Sequence, residues 1–360
     1  MSNVTFHKAL ALLHQVSTKN GFLASAENTS NYQRVWARDG VICGLAALAS
    51  DDEKLIATFK NTLETLADNQ HEIGTIPSNV LISVGKTEVS YGGLAGRVDA
   101  VTWFIIGVCQ YAISQNEKEF VVKYKTHIEK AIALLNAWEF NNKHLLYVPL
   151  SGNWADEYIT DGYVLYDQLL RIWALKSYNL FVKSEILSKK IKDITNQVES
   201  NFLPNSLEEK YHEKAYHELV FDKYLPCSFS PSGYKSQFDA FANALVVLLK
   251  IGTKENQNQI LEFAEKYYRS YENFKIENNP AASERERREA QQRHRWNRRG
   301  AWPSSGMGRI AKGFDLIGDG FEKFGARLQG CLAITIKGLP RQCAGLFDLL
   351  GSANGYEATA

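Results

Sequence analysis

The sequence predicts an all-α fold in which helical hairpins close into a ring, and three observations support this prediction. Apolar residues recur at the i, i+3, i+4 and i+7 spacing of an amphipathic helix in one segment after another. Strands that alternate regularly with helices, which a parallel α/β sheet requires, are missing. Polar, aromatic-rich segments separate alternate helices, as expected when helices come in pairs and the loops at one end carry the function.

The helical pattern continues along most of the chain. In the segment that begins at Asp99, for example, Val101 and Val108 lie on one apolar face. Two segments, 74–90 and 144–150, are predicted to be extended instead. The predicted helices cover residues 5–17, 39–50, 52–68, 98–115, 117–138, 163–182, 184–202, 236–251, 254–272, 304–316 and 323–350.

The chain is predicted to form a single domain over residues 1–360, interrupted by an Arg-rich segment over 278–299. Seven arginines lie between Arg285 and Arg299. The segment is interpreted either as a solvated, mobile excursion or as a patch that binds phosphate or nucleic acid. Because three glutamates in the same stretch dilute the positive field, we expect the solvated excursion.

Composition argues against several classes of protein. The formal net charge is +1, so neither nucleic acid nor a membrane surface is expected as a partner. The five cysteines are scattered and form no Cys-x-x-Cys pair, which argues against a disulfide framework or a zinc ribbon. His212 and His217 are off the four-residue spacing at which two zinc ligands share a helix face, so no metal or cofactor is expected.

The N-terminal residues and the lengths of the apolar runs indicate where in the cell the protein is expected. The N-terminal residues lack a basic region followed by an apolar run, and no apolar run is long enough to cross a bilayer. We therefore expect a cytoplasmic protein, and the sequence leaves its oligomeric state open.

Two segments place an acid at the start of an apolar helix, next to a tryptophan. Arg38 and Asp39 follow Trp36, and Asp99 lies one turn before Trp103 on the same helix face. Each arrangement has two interpretations. The aspartates are helix caps beside a packing tryptophan, or charged groups hold the hydroxyls of a saccharide while an aromatic ring stacks on its face.

Two later segments carry further candidates. Trp154 and Asp156 lie in a loop that is rich in acids and aromatic residues, and Asp167 follows it near the start of the next predicted helix. A carboxyl packed against Trp154 is partly desolvated, which raises its pKa and keeps a proton available for donation. Cleavage of a glycosidic bond needs such a proton donor together with a second carboxylate. Trp302, in a Gly-Ala-Trp-Pro turn, is either a packing residue or an aromatic rim to the same site.

Taken in their order along the chain, these motifs resemble those of the six-hairpin glycosidase superfamily. The resemblance covers most of residues 20–310. The resemblance is strongest to the amylo-α-1,6-glucosidase (glycogen debranching), neutral invertase and glucoamylase-like branches. It rests on short matches: Trp-Ala-Arg-Asp-Gly at 36–40, Asp-Ala-Val-Thr-Trp-Phe at 99–104, Trp-Ala-Asp at 154–156, Phe-Asp-Ala-Phe-Ala-Asn-Ala-Leu at 238–245 and Gly-Ala-Trp-Pro at 300–303.

The resemblance implies an (α/α)6 toroid with its pocket at one end and a hydrolase that inverts configuration. It implies Asp156 as the general acid, and Asp39, Asp99 and Trp103 in the sugar subsite. The catalytic base of the family is a late glutamate in a Tyr-Glu context, which only Glu357 matches. Since the sequence given ends three residues later, we expect a toroid that lacks its last helix.

From the residues and the resemblance together, we expect a glycoside hydrolase acting on an α-linked glucoside or a short oligosaccharide. The small saccharide is the expected partner. The predicted substrate-binding residues are Trp36, Arg38, Asp39, Asp99, Trp103, Trp154, Asp167 and Trp302. Two alternatives stay open: a sugar epimerase or isomerase on the same toroid, and a saccharide-binding protein without catalysis.

Overall fold

The computed structural model describes residues 3–27, 31–155 and 160–278, and the part it describes is mainly helical. The helices are α1 (Asn3–Gln15), α2 (Ala37–Ser50), α3 (Glu53–Asp68), α4 (Val98–Ser114), α5 (Lys118–Lys123), α6 (Lys125–Ala137), α7 (Leu165–Val182), α8 (Glu185–Phe202), α9 (Glu213–Glu218), α10 (Ala240–Leu248) and α11 (Lys254–Asn278). None of these helices has the length and apolar character that a membrane crossing requires.

The helices form hairpins around a central row. Helices α2, α4, α7 and α10 contact one another in that order, and we call them the inner helices. Each packs against the helices that follow it: α2 on α3, α4 on α5 and α6, α7 on α8, and α10 on α11. Because an outer helix brings the chain back each time, the inner helices all begin at the same end of the molecule.

Burial separates the two kinds of helix. Every residue of α4 from Val98 to Ala112 is buried, as expected for a helix surrounded by other helices. In α3 the buried residues, among them Leu55, Phe59 and Leu63, lie on one stripe. The inner row and the apolar stripes of the outer helices thus share one hydrophobic core.

Capping residues mark where several helices start. The Asp52 carboxylate accepts hydrogen bonds from two backbone N–H groups at the start of α3, and Asp239 does the same for α10. The Ser184 hydroxyl accepts from the Leu187 N–H at the start of α8. These caps satisfy donors that have no partner inside a helix.

Short antiparallel strands lie at the starts of the inner helices. The strands are β1 (Ser17–Thr18), β2 (Gly21–Phe22), β3 (Val35–Trp36), β4 (Asn79–Ser83), β5 (Lys86–Ser90), β6 (Tyr163–Val164), β7 (Pro226–Ser230) and β8 (Gly233–Phe238). They form a β1–β2 pair and two three-stranded sheets, β3–β4–β5 and β6–β7–β8. Because β3 leads directly into α2 and β6 into α7, these sheets lie at the end of the molecule where the inner helices begin.

The structure confirms the predicted helices that fall in the described residues, with differences at one break and at some ends. The segment 117–138 is broken at Tyr124 into α5 and α6. The first residues of 163–182 and of 236–251 belong to β6 and β8, and the last residue of 5–17 belongs to β1. Of the extended segments, 74–90 contains β4 and β5, whereas 144–150 contributes only an isolated bridge between Val148 and Gly162. The helices predicted over 304–316 and 323–350, and the Arg-rich segment beyond Asn278, lie outside the described residues.

The fold is therefore predominantly α-helical with small antiparallel sheets rather than purely helical. The strands β3 and β6 could not be expected from periodicity, because they are two residues long and too short to show an alternating pattern.

Candidate active site

Each inner helix brings an aspartate to the end where the inner helices begin. Asp39, Asp99 and Asp167 lie in the first turns of α2, α4 and α7, and Asp239 caps α10. A carboxylate is favoured in the first turn because the N-terminal end of a helix dipole is positive. The hairpin arrangement thus converts positions far apart in the sequence into neighbours at one end of the molecule.

Arg38 joins two of these carboxylates. Its Nη1 donates a hydrogen bond to Asp99 Oδ2 at 3.1 Å, and its Nη2 donates to Asp39 Oδ2 at 3.4 Å. Burial lowers the pKa of the Arg38 guanidinium, but the charges of Asp39 and Asp99 outweigh burial and raise the pKa above its usual value. The guanidinium is therefore a fixed positive charge between two carboxylates.

Asp99 is also held from α7. The Tyr166 hydroxyl donates to Asp99 Oδ2 at 3.4 Å and accepts a hydrogen bond from Trp103 Nε1 at 2.9 Å. Burial, and then the charge of Asp99, raise the pKa of Tyr166 well above its usual value, so the phenol stays neutral and remains a donor. The Trp103 side chain is 1% exposed and packs against Trp173 and Phe241. Trp103 is thus linked to the Asp99 carboxylate through the Tyr166 hydroxyl.

Asp167 has different surroundings. Its Oδ2 accepts a hydrogen bond from Asn153 Nδ2 at 2.8 Å, and the side chain is fully buried. Burial raises the pKa of Asp167 well above its usual value, and the charges of Asp99 and Asp239 act in the same direction. The Asp167 carboxyl therefore keeps its proton to a higher pH than an exposed aspartate.

Aromatic rings border these polar groups. The Trp154 ring packs edge-on against Tyr166, with 6.3 Å between the ring centroids. At the start of α2, the Trp36 ring is stacked on Tyr32 with centroids 6.0 Å apart, and half of the Tyr32 surface is exposed. Such partly exposed rings offer flat apolar surfaces beside charged groups, a combination suited to a ligand with both apolar faces and hydroxyls.

The structure brings together most of the predicted site residues that it describes. Arg38, Asp39, Asp99, Tyr166 and Asp167, with Trp103 behind them, form a connected group that we call the carboxyl cluster. The ring of Trp154 borders it through Tyr166, and Trp36 immediately precedes α2. The predicted acid Asp156, the predicted base Glu357 and the predicted rim residue Trp302 lie outside the described residues.

Sequence reasoning assigned no role to four residues that the structure places at this end: Tyr32, Asn153, Tyr166 and Asp239. One signal could have found Asp239. It opens the fourth inner helix just as Asp39, Asp99 and Asp167 open the other three. No comparable signal marked Asn153, whose role depends on a contact across the fold.

In the part of the chain that the structure describes, no group of three or more histidine, cysteine or acidic side chains is arranged to hold a metal ion. The carboxyl cluster instead offers charged hydrogen-bond donors and acceptors. Two buried polar atoms in it, Arg38 Nε and Asp167 Oδ1, have no hydrogen-bond partner among the described residues.

No family model matches the sequence, and no curated protein matches it. Solved structures do match the fold. A rhamnosidase from Klebsiella oxytoca with rhamnose bound matches with a TM-score of 0.53 and 12% identity, covering 82% of this chain and 52% of its own. A GH78 family rhamnosidase of Bacillus sp. GL1 matches with a TM-score of 0.52 and 10% identity, over 78% of this chain and 26% of its own.

A third match is the GH63 mannosylglycerate hydrolase from Thermus thermophilus, with a TM-score of 0.52 and 10% identity. It covers 73% of this chain and 77% of its own. The chain thus spans 52% of the length of the Klebsiella rhamnosidase and 26% of the Bacillus one, but most of the Thermus hydrolase. At this level of identity the matches concern the fold: the chain shares its fold with two rhamnosidases and a mannosylglycerate hydrolase, all of them glycosidases.

Proposed function

We propose that this protein is a glycoside hydrolase that binds its sugar at the carboxyl cluster. The observation that carries the proposal is the convergence of Arg38, Asp39, Asp99 and Asp167 from three consecutive inner helices, next to Tyr166 and Trp154. The fold shared with two rhamnosidases and a mannosylglycerate hydrolase supports the same class of reaction.

The polar groups of the cluster suit sugar hydroxyls. Arg38 and Asp39 are each nearly a fifth exposed, so a hydroxyl can reach them. Asp99, which is 1% exposed, holds Arg38 in place from behind. Hydrogen bonds to charged groups contribute about 1.5–3 kcal/mol each, roughly twice the contribution of neutral pairs. We propose Trp36 and Trp154, together with Trp302, as the aromatic surfaces that stack on the sugar.

The proposed reaction is a single displacement with inversion of configuration. Asp156 protonates the leaving oxygen, while a late carboxylate, Glu357, removes a proton from the attacking water. An inverting pair is separated by about 6.5–9.5 Å to leave room for that water. In support, Asp156 directly follows Ala155, whose backbone N–H is held by Asn153, a residue bonded to the cluster.

We propose an α-linked glucoside or a short oligosaccharide as the substrate. A screen of maltose, isomaltose, trehalose, sucrose and limit dextrin, with the anomer of the released sugar followed by NMR, tests both the substrate and the inversion. Aryl rhamnosides and mannosylglycerate belong in the same screen because of the shared fold. A new epimer formed from a free monosaccharide, without hydrolysis, would support the epimerase instead.

Replacing the proposed acid tests the mechanism. Asp156→Asn should abolish hydrolysis because the amide has no proton to donate, and Tm should change little. A matched control is Asp193→Asn, which removes a carboxylate on the outer helix α8 that pairs with Lys189. The control should keep full activity. Hydrolysis by Asp156→Asn at the wild-type rate would remove Asp156 from the role of acid.

A further inference from the structure

We propose that Asn153 is a positioning residue: its side chain couples the Asp167 carboxyl on α7 to the backbone of the loop that leads to the proposed acid. The inference rests on the proposed function. It adds a residue that sequence reasoning did not assign, and it gives Asp167 a role in holding the loop.

Both ends of the Asn153 amide are used, and both bonds are buried. Its Nδ2 donates to Asp167 Oδ2 at 2.8 Å, while its Oδ1 accepts from the Ala155 backbone N–H at 2.9 Å. Asn153 is 2% exposed and Asp167 is fully buried. A buried asparagine with both functions satisfied has a single orientation, because turning the amide over would break both bonds at once.

The loop before Asn153 is tied to a different helix. The Gly152 carbonyl accepts a hydrogen bond from the Val98 N–H at 2.8 Å, and the Arg97 guanidinium donates to the Ser151 carbonyl. Both contacts come from the start of α4. Asn153 supplies a buried hydrogen bond to α7, beside the packing of the Trp154 ring on Tyr166, so the loop bridges the two inner helices that carry Asp99 and Asp167.

This bridge fixes the position of the Ala155 backbone, which directly precedes the proposed acid in the sequence. Without the Asn153 side chain, the loop keeps its contacts to α4 and the packing of Trp154 on Tyr166, but it loses its hydrogen bond to Asp167 on α7. The buried Asp167 Oδ2 then loses the donor that the structure gives it. A displacement of about 1 Å in a catalytic group costs on the order of a hundredfold in rate. The expected defect therefore lies in the chemical step and not in sugar binding.

The structure offers a matched control in Asn141. Its Oδ1 also accepts from the N–H two residues later, that of Lys143, and its Nδ2 also donates to a side-chain oxygen, the Tyr163 hydroxyl. Asn141 is exposed and makes neither bond to the carboxyl cluster. Asn153→Ala and Asn141→Ala thus each remove two hydrogen bonds of the same kinds: one accepted from a backbone N–H and one donated to a side-chain oxygen.

The experiment measures kcat, KM and Tm for wild type, Asn153→Ala and Asn141→Ala on the best substrate of the screen. For Asn153→Ala we expect kcat to fall by on the order of tenfold to a hundredfold, with KM within about threefold of wild type. Asn141→Ala should leave kcat unchanged. A loss of Tm without a loss of kcat in Asn153→Ala would make the bond merely structural and would overturn the inference.

A reciprocal exchange provides a second test that does not depend on how well the alanine variant folds. Asn153→Asp alone removes the amide donor and sets two carboxyls against each other, so kcat should fall. Adding Asp167→Asn restores the hydrogen bond with its direction reversed, and most of the lost kcat should return. No recovery would mean that the Asp167 carboxyl itself is required, which overturns the positioning role. Absence of turnover by the wild-type protein would overturn the proposed function along with it.

Discussion

At the scale of single residues, the partners of a carboxyl decide what it can do. Asp99 and Asp167 occupy equivalent positions in the first turns of neighbouring inner helices. Asp99 faces the Arg38 guanidinium and the Tyr166 hydroxyl, whereas Asp167 has an amide for a partner and a raised pKa. The sequence pattern of a helix start is the same for both. The difference arises from partner residues at least a dozen positions away in the sequence. The sequence therefore indicated both carboxyls as candidate site residues but did not show that their surroundings differ.

Two capping aspartates lead to a prediction about pH. Burial raises the pKa of Asp239 to about 6 from the usual 3.8. At Asp52 burial acts in the same direction, but the Leu55 N–H and His14 outweigh it and lower the pKa. A raised pKa stabilises the fold at low pH, and this contribution is lost as pH rises from about 4 through about 6. A lowered pKa stabilises the fold at higher pH, and that contribution is lost as pH falls through the folded pKa.

Asparagine caps a helix as well as aspartate does but does not titrate. We therefore expect the stability of Asp239→Asn, relative to wild type, to increase between pH 4 and pH 7. The stability of Asp52→Asn relative to wild type should decrease as pH rises through the acidic range where Asp52 ionises. Urea unfolding at a series of pH values measures both differences. Parallel pH curves for Asp239→Asn and the wild type would show that Asp239 titrates normally in the folded protein.

At the scale of elements, helices were predicted well because each contains several turns of periodic apolar residues. The helix predicted over 52–68 corresponds to α3, and the helix predicted over 184–202 corresponds to α8. The break at Tyr124 went undetected because the apolar pattern continues across it. The two-residue strands β3 and β6 were missed because their pairing partners lie far away in the sequence: Trp36 in β3 pairs with Asn79 in β4, and Val164 in β6 pairs with Ser228 in β7.

The hairpin of α2 and α3 depends on a close approach at Gly44. A Cβ at this position would lie 1.9 Å from the ring of Phe59, a fully buried residue of α3. Alanine is a better helix former than glycine by about 1 kcal/mol, but overpacking a core costs about 1–3 kcal/mol. We therefore expect Gly44→Ala to destabilise the protein, as measured by urea unfolding.

A control and a compensating change sharpen this prediction. Gly93 has open space where its Cβ would lie, so Gly93→Ala should change stability by less than about 0.5 kcal/mol. Combining Gly44→Ala with Phe59→Leu removes the ring that the new methyl group meets. If the Gly44→Ala change cost as much in the Phe59→Leu background as in wild type, the steric explanation would be wrong.

At the scale of the whole molecule, the order of motifs predicted more than any single motif did. The position of each of Asp39, Asp99 and Asp167, taken alone, is explained by the preference for an acid in the first turn of a helix. Their recurrence at the start of alternate helices predicted a common end, and the inner helices of the structure do begin at one end. The links that join the cluster, such as Tyr166 to Asp99 and Asn153 to Asp167, depend on side-chain contacts across the fold, which no local pattern encodes.

If α2, α4 and α7 share one sugar site at the carboxyl cluster, ligand binding should affect all three helices at once. The first N–H groups of a helix have no partner within it, so they exchange with solvent readily unless a cap or a ligand covers them. One sugar bound at the carboxyl cluster should therefore slow hydrogen exchange in the first turns of α2, α4 and α7 together. The turn between α7 and α8, around Ser184, lies at the opposite end of α7 and should be unaffected.

The measurement is hydrogen exchange by mass spectrometry, with and without the monosaccharide that the wild-type protein releases from its best substrate. A sugar alcohol that the protein does not release serves as the control ligand. At about a hundredfold above Kd, binding should also stabilise the fold by about 2.7 kcal/mol. Protection confined to a single hairpin would mean that the starts of α2, α4 and α7 do not form a common sugar site, because one sugar bound at the carboxyl cluster must cover the starts of all three helices.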